Sequence, residues 1–265
     1  MLTPGNKKLG GHLIWGFGLP SGTAKLGANE YPIIVAASPE TLAELAREEA
    51  DDSVTAEIEA GSFAAMGVTA LWISPVYVNP TEAREGRGDG HMYEGYHGYW
   101  PLQPRGVDPR IGGEAGLERL VAAAHGAGLR VLLDVVPNHV YEASPRYTEQ
   151  PGWFNHSEPT CVCGLGSCDW GAHIQSCWFT DYLPDFNFEN ADARKFSVDN
   201  AVQWIKDTGI DGSRLDAVKH IADPWLFDIR ARVKAEIEPT TMEHFYMVGE
   251  TYTGKQDTIK YYVRP

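Results

Sequence analysis

The stretch Gly212-Ser213-Arg214-Leu215-Asp216-Ala217-Val218-Lys219-His220 sets an arginine, a carboxylate, a lysine and a histidine at the end of what reads as a buried strand. Further along, a second carboxylate closes another apolar run, Phe245-Tyr246-Met247-Val248-Gly249-Glu250. Strand interiors exclude charge unless it is paired. Arg214 and Asp216 stand two residues apart and so share one face of their strand. Charges gathered at strand ends point to a chemical site at the mouth of a sheet, built around a pair of carboxylates.

Working outward, strands are expected over residues 68–74 and 129–136, each a continuous apolar run, with a first strand at 12–17. Helical patterns alternate with them. One runs from Ser38-Pro39-Glu40 to about residue 50, one from 53 to 66, and one carries Leu117, Leu120, Val121 and Ala124. Another follows the cap Asn190 and carries Phe196, Ala201, Val202 and Ile205, and a last one opens at Asp223-Pro224. Strand and helix in alternation imply an α/β fold, a parallel sheet covered by helices. A barrel and an open doubly wound sheet both build sites after strand ends, so the pattern alone leaves both open. No G-x-G-x-x-G or P-loop follows any strand, which counts against nucleotide-binding versions of the open sheet. Residues 75–113 read as a long loop, and residues 141–182 as a longer excursion without clear periodicity.

The 265 residues carry a net charge of -14, so nucleic acid and anionic membrane are not expected partners. No apolar run is long enough to span a bilayer, and the lysines near the N-terminus are followed by no hydrophobic signal core. Eight Trp and twelve Tyr supply flat amphipathic rings that suit sugar faces as well as cores. All four cysteines, Cys161, Cys163, Cys168 and Cys177, fall inside the excursion. Two disulfides of open connectivity are the favoured reading, and a four-thiolate zinc site is the alternative, weakened by the C-x-C spacing.

Four ordered segments give the chain its resemblance: Asp134-Val135-Val136-Pro137-Asn138-His139, Leu183-Pro184-Asp185-Phe186-Asn187, the Arg214/Asp216 stretch and Gly249-Glu250. With Leu71-Trp72-Ile73-Ser74-Pro75 and Tyr96-His97-Gly98-Tyr99-Trp100 in support, the chain resembles the α-amylase family of retaining glycoside hydrolases. The resemblance implies a (β/α)8 TIM-type barrel acting on α-1,4-glucans such as starch, or a cyclodextrin-forming transglycosylase of the same kind. It implies Asp216 as nucleophile, with Arg214 beside it, and Glu250 as acid and base, its pKa raised by partial desolvation. His139, Tyr96, Arg214, Lys219 and His220 would bind sugar, Tyr96 as a stacking platform, while Trp100 packs in the core. Asn138, Asp185 and the backbone carbonyl of His220 would hold a structural Ca²⁺.

The family's late F-x-x-N-H-D motif has no counterpart after Glu250. The sequence therefore accounts for about the first five barrel strands. Residues 1–52 hold the first strand and an elaboration, 53–140 strands two and three, 141–182 an inserted cysteine-rich subdomain, and 183–265 strands four and five. A second polypeptide bearing the remaining strands is an expected partner. A non-catalytic carbohydrate-binding remnant is the reading from another class. Clustered cysteines, calcium and a polymeric substrate suit an extracellular enzyme, and Asn155-His156-Ser157 matches a glycosylation acceptor.

Overall fold

The computed structural model describes residues 23–26, 29–32, 34–37, 53–86, 90–156 and 158–263. Five strands form one sheet: β1 (Ile34–Ala37), β2 (Ala70–Ile73), β3 (Arg130–Val135), β4 (Gly212–Leu215) and β5 (Tyr246–Gly249). Each pairs in parallel with the next, in chain order. That order decides between the two architectures left open by the sequence. A doubly wound sheet reverses direction at a switch point, whereas a barrel wall adds strands in succession. Among the described residues, the outer edges of β1 and β5 pair with no further strand of this sheet.

The expected strands at 68–74 and 129–136 are β2 and β3, each shorter than its apolar run because the ladder ends where the chain leaves the sheet. The strand expected at 12–17 and the helix expected from Ser38 lie outside the described residues. The place beside β2 belongs to β1, registered Ile34 to Ala70. The helix expected from 53 to 66 is divided by a turn at Ala60 and Gly61 into α1 (Ser53–Glu59) and a single turn, Ser62–Ala65. The long loop 75–113 contains an antiparallel pair, Tyr77–Val78 with Gln103–Val107.

Three longer helices cover the sheet: α2 (Gly113–Gly126), α3 (Ala191–Thr208) and α4 (Asp223–Glu236). Their buried residues recur every three or four positions: Leu117, Val121 and Ala124 on α2, Val198, Val202 and Ile205 on α3, Trp225, Ile229 and Val233 on α4. Each large apolar side chain so buried contributes about 1.5–3 kcal/mol. The Asn190 side chain starts α3 by accepting from the amides of Asp192 and Ala193, at 3.0 and 3.2 Å. Trp225 is fully buried yet satisfied, its indole donating to Ser197 Oγ at 2.9 Å.

Residues 141–182 leave the sheet after β3 and fold around two disulfides, Cys161–Cys168 and Cys163–Cys177. The zinc alternative is thereby displaced. The interleaved pairing closes a small apolar cluster, and the excursion packs on the main body through Phe154, stacked on Phe186 at 4.4 Å between centroids.

Candidate active site

The carboxyl ends of β3, β4 and β5 bring three acids around one guanidinium. Arg214 lies opposite Asp134 in the ladder, so the two side chains leave the same face of adjacent strands. Its Nη1 donates to both Asp134 oxygens, at 2.8 and 2.9 Å, and to Asp216 Oδ1 at 2.7 Å. Its Nη2 lies 3.0 Å from Glu250 Oε2. Trp72 and Tyr99 flank the cation, with ring centroids 5.4 and 5.9 Å away.

The backbone just past the strands fixes the two carboxylates expected to act. Asp216 N–H donates to Val135 O and Glu250 N–H to Leu215 O, each at 2.9 Å, extending the ladders by one residue. Ala217 then takes a left-handed conformation, φ +52°, and its N–H donates to Glu250 Oε2 at 3.2 Å. The next amide, Val218 N–H, reaches Glu250 O at 3.0 Å. Gly249 allows this close approach: a Cβ there would lie 2.6 Å from Val218 Cγ2.

Burial sets the electrostatics. Asp216 is 8% exposed, and desolvation pushes its pKa up to about 7, with Asp134 and Glu250 adding repulsion that the Arg214 charge only partly offsets. Asp134 is fully buried and rises to about 6 for the same first reason, against the pull of Arg214 and a 2.8 Å hydrogen bond from the Tyr99 hydroxyl. Three negative charges around one positive charge leave the cluster short of cations, so it holds a proton more readily than separate acids do. Asp216 sits inside the sheet mouth, while the Glu250 side chain is 40% exposed.

Of the expected sugar-binding residues, Arg214 is in the cluster. His139 is buried behind it, its Nε2 3.0 Å from Tyr99 O and its pKa lowered by burial to about 4. Tyr96 is not part of the cluster. It is 47% exposed on a 3-10 turn, its ring against His97 at 5.6 Å. The tyrosine that reaches the acids is Tyr99. Between them Gly98 has φ +87° and passes so close to Pro75 O that a Cβ would sit 2.2 Å from it, turning the chain inward. Trp100 is core, stacked on Tyr141. Lys219 faces outward, its Nζ donating to Tyr252 O at 2.8 Å. His220 is buried, with its pKa lowered to about 4 by desolvation.

Asn138 and Asp185 come together behind the mouth. Phe186 N–H donates to Asn138 O at 2.9 Å, and Asp185, 1% exposed, has amide partners rather than a cation: Asn138, and Asn155 Nδ2 at 2.7 Å. Burial raises the Asp185 pKa well above the ordinary carboxylate range. His220 joins this pair indirectly, through the Phe179 ring it shares with His139. Asn155 Nδ2 also donates to Gln175 O and Phe186 O, at 3.1 and 3.3 Å, so the nitrogen a glycan would need is engaged and the acceptor pattern marks a structural asparagine. No group of three His, Cys, Asp or Glu side chains among the described residues could hold a metal, and no helix there is long and apolar enough to cross a membrane.

Asp134, Tyr99 and Trp72 lie within the family-like motifs, which by themselves do not distinguish them as site residues. Asp134 had a usable signal, an acid inside an apolar run.

Comparison with known proteins agrees with this geometry. A family model described as "Alpha amylase, catalytic domain" matches residues 63–265. A cyclomaltodextrin glucanotransferase of Bacillus sp. (strain 1-1) is 29% identical over 190 residues, 67% of this chain and 26% of that protein. Alpha-amylase mde5 of Schizosaccharomyces pombe is 34% identical over 202 residues, 72% of this chain and 35% of that protein. The crystal structure of alpha-amylase from Geobacillus thermoleovorans, complexed with acarbose, superposes with a TM-score of 0.62 at 30% identity, covering 78% of this chain and 42% of that one. The chain thus spans well under half the length of these relatives. With its strand order, its ring of acids around Arg214 and a family match over most of its length, the chain belongs to the alpha-amylase family.

Proposed function

We propose that the chain carries the catalytic carboxylates of an enzyme acting on α-1,4-glucans of starch type by a retaining double displacement. The observation that carries this reading is the single guanidinium of Arg214 shared by Asp216 and Glu250. Asp216 attacks the anomeric carbon once ionised, and Arg214 stabilises that ionised form. Glu250, open to solvent on one side, delivers a proton to the departing oxygen and then takes one from water. Asp134 and Tyr99 hold Arg214 in register. His139, Lys219 and His220 contact sugar. Tyr96, exposed at the rim, contacts sugar further from the cleaved bond.

The five strands form the first part of an (β/α)8 barrel in this reading. Residues 1–52 are its N-terminal elaboration, 53–140 and 183–265 its wall, and 141–182 an inserted subdomain. The edges of β1 and β5, which pair with no further strand of this sheet among the described residues, favour completion by further strands, from this polypeptide or from a second one. The two disulfides favour an oxidising, extracellular setting. Calcium fits the residues behind the mouth. Asp185 is a buried carboxylate without a cation, and a turn of the Asn138 amide would present its oxygen beside it. Those two side chains, with the His220 carbonyl, would hold the ion, and its role would be structural, supplying a counter-charge to Asp185 and a tie between the excursion and the sheet.

The test is starch hydrolysis by the full enzyme and by Asp216→Asn and Glu250→Gln, followed as reducing ends. Loss of about 10⁴-fold or more is expected for each. A wild-type rate in either variant would remove the assignment. The cyclomaltodextrin glucanotransferase relatives favour transglycosylation as a second reading, which cyclic products would reveal. Glucan binding without bond cleavage by the completed enzyme would instead favour the non-catalytic remnant.

A further inference from the structure

Phe179 stands where three parts of the molecule meet. Its ring is edge-on to His139, with centroids 5.4 Å apart, and to His220, at 4.7 Å. It packs against the cluster of the four bonded cysteines, and also against the aromatic cluster of Trp100, Tyr141, Tyr182 and Leu183. The chain that delivers it is fixed on its N-terminal side. Cys177 is bonded to Cys163, and Trp178 exchanges backbone hydrogen bonds of 2.9 Å with Cys161 O and Cys163 N. The Trp178 indole, 1% exposed, donates to Asn155 O at 2.5 Å. A side chain leaving so anchored a backbone has little freedom of its own.

His139 and His220 lie on segments that follow β3 and β4, and neither segment contains a cysteine. Both rings nonetheless lean on one phenyl group held by the cystine core. We infer that Phe179 is a positioning residue through which the Cys163–Cys177 disulfide keeps His139 and His220 oriented at the mouth of the sheet. The inference deepens the glucan-cleaving reading, since it is on that reading that the two histidines meet sugar. The contact itself does not depend on it.

The experiment follows the histidine ring C–H resonances of the full chain by NMR at fixed pH. His139→Gln and His220→Gln assign the two signals. His125, near the end of α2 and paired with Asp211, serves as the internal reference. Removing the disulfide with Cys163→Ala plus Cys177→Ala is expected to shift and broaden the His139 and His220 signals and leave His125 in place. Phe179→Ala should move the same two signals, and adding the cysteine changes to Phe179→Ala should then add little. Phe179→Tyr should restore the wild-type positions. Additive shifts, or unmoved histidines in the disulfide-free protein, would overturn the inference. If Phe179→Ala does not fold, Phe179→Leu keeps the bulk, removes the ring and serves the same cycle.

In the cleavage assay Phe179→Ala should lose about 10- to 100-fold in kcat with KM little changed, as expected of a misplaced group rather than a lost contact. An unchanged kcat would also count against the inference. Should Asp216→Asn retain full activity, the glucan reading fails by itself, and the histidine signals still decide the role of Phe179.

Discussion

The two ends of the sheet use the same ingredients to opposite effect. At the amino end Arg130 is paired with Asp211 and Glu243, its side chain 51% exposed. At the carboxyl end Arg214 is paired with Asp134, Asp216 and Glu250, its side chain 11% exposed. Arg130 holds Glu243 below the ordinary carboxylate range, whereas Asp134 and Asp216 rise above it although their guanidinium is just as near. Water makes the difference. Where solvent reaches the pair, attraction to the cation dominates. Where it does not, lost hydration outweighs the attraction, and the acids are poised to exchange protons near neutrality. One end of the sheet keeps its ion pairs in water and the other keeps them out of it.

The comparison is broken most directly by removing each arginine. Arg214→Ala strands buried carboxylates without a counter-charge and is expected to cost about 3–5 kcal/mol, read from the urea midpoint. A smaller loss would mean that water enters the mouth and that burial does not set the Asp216 pKa.

Asp216→Asn should abolish cleavage yet stabilise the fold above neutral pH. The folded-state pKa of Asp216 lies above its unfolded value of 3.8, so wild-type stability is full below that value and falls as pH rises through about 7. The asparagine variant carries no such penalty. Its advantage in melting temperature should be absent near pH 4, grow through pH 7 and level off above it. A pH-independent difference would contradict the assignment of the shift to Asp216.

Asp185 sharpens the comparison as a buried acid with no arginine at all. If calcium supplies the missing charge, binding stabilises the fold by about 2.7 kcal/mol at a free concentration 100 times Kd. Chelation should then lower the melting temperature of wild type and leave Asp185→Ala nearly unmoved. An equal drop in both would place the ion elsewhere.

The smallest effect belongs to the amino end. Arg130→Ala should leave the urea midpoint nearly unchanged, and any difference should shrink in high salt.

What the sequence could convey follows from the same physics. Arg214 and Asp216 were legible because a strand alternates faces and charge in an apolar run needs a partner. Glu250 was legible by the same rule, but its exposure depends on being at a sheet edge, which no local pattern records. Tyr96 and Tyr99 are equivalent as letters, and only the turn at Gly98 against Pro75 makes the second one point inward. The apolar run Ile33-Ile34-Val35-Ala36-Ala37 was available as a first strand, but recognising it required knowing what pairs with β2. The pairing of four cysteines within one loop has three solutions, and chain spacing does not choose among them.

Gly249 carries a consequence beyond packing. A single methyl group there would press against Val218 and wedge β5 away from β4, and with it Glu250 away from Asp216. Carboxyl groups about 5–5.5 Å apart act through a glycosyl-enzyme, while those about 6.5–9.5 Å apart leave room for water to attack from the opposite face. Under the proposed chemistry, the anomeric configuration of the released sugar rests on a hydrogen atom where every other amino acid carries carbon.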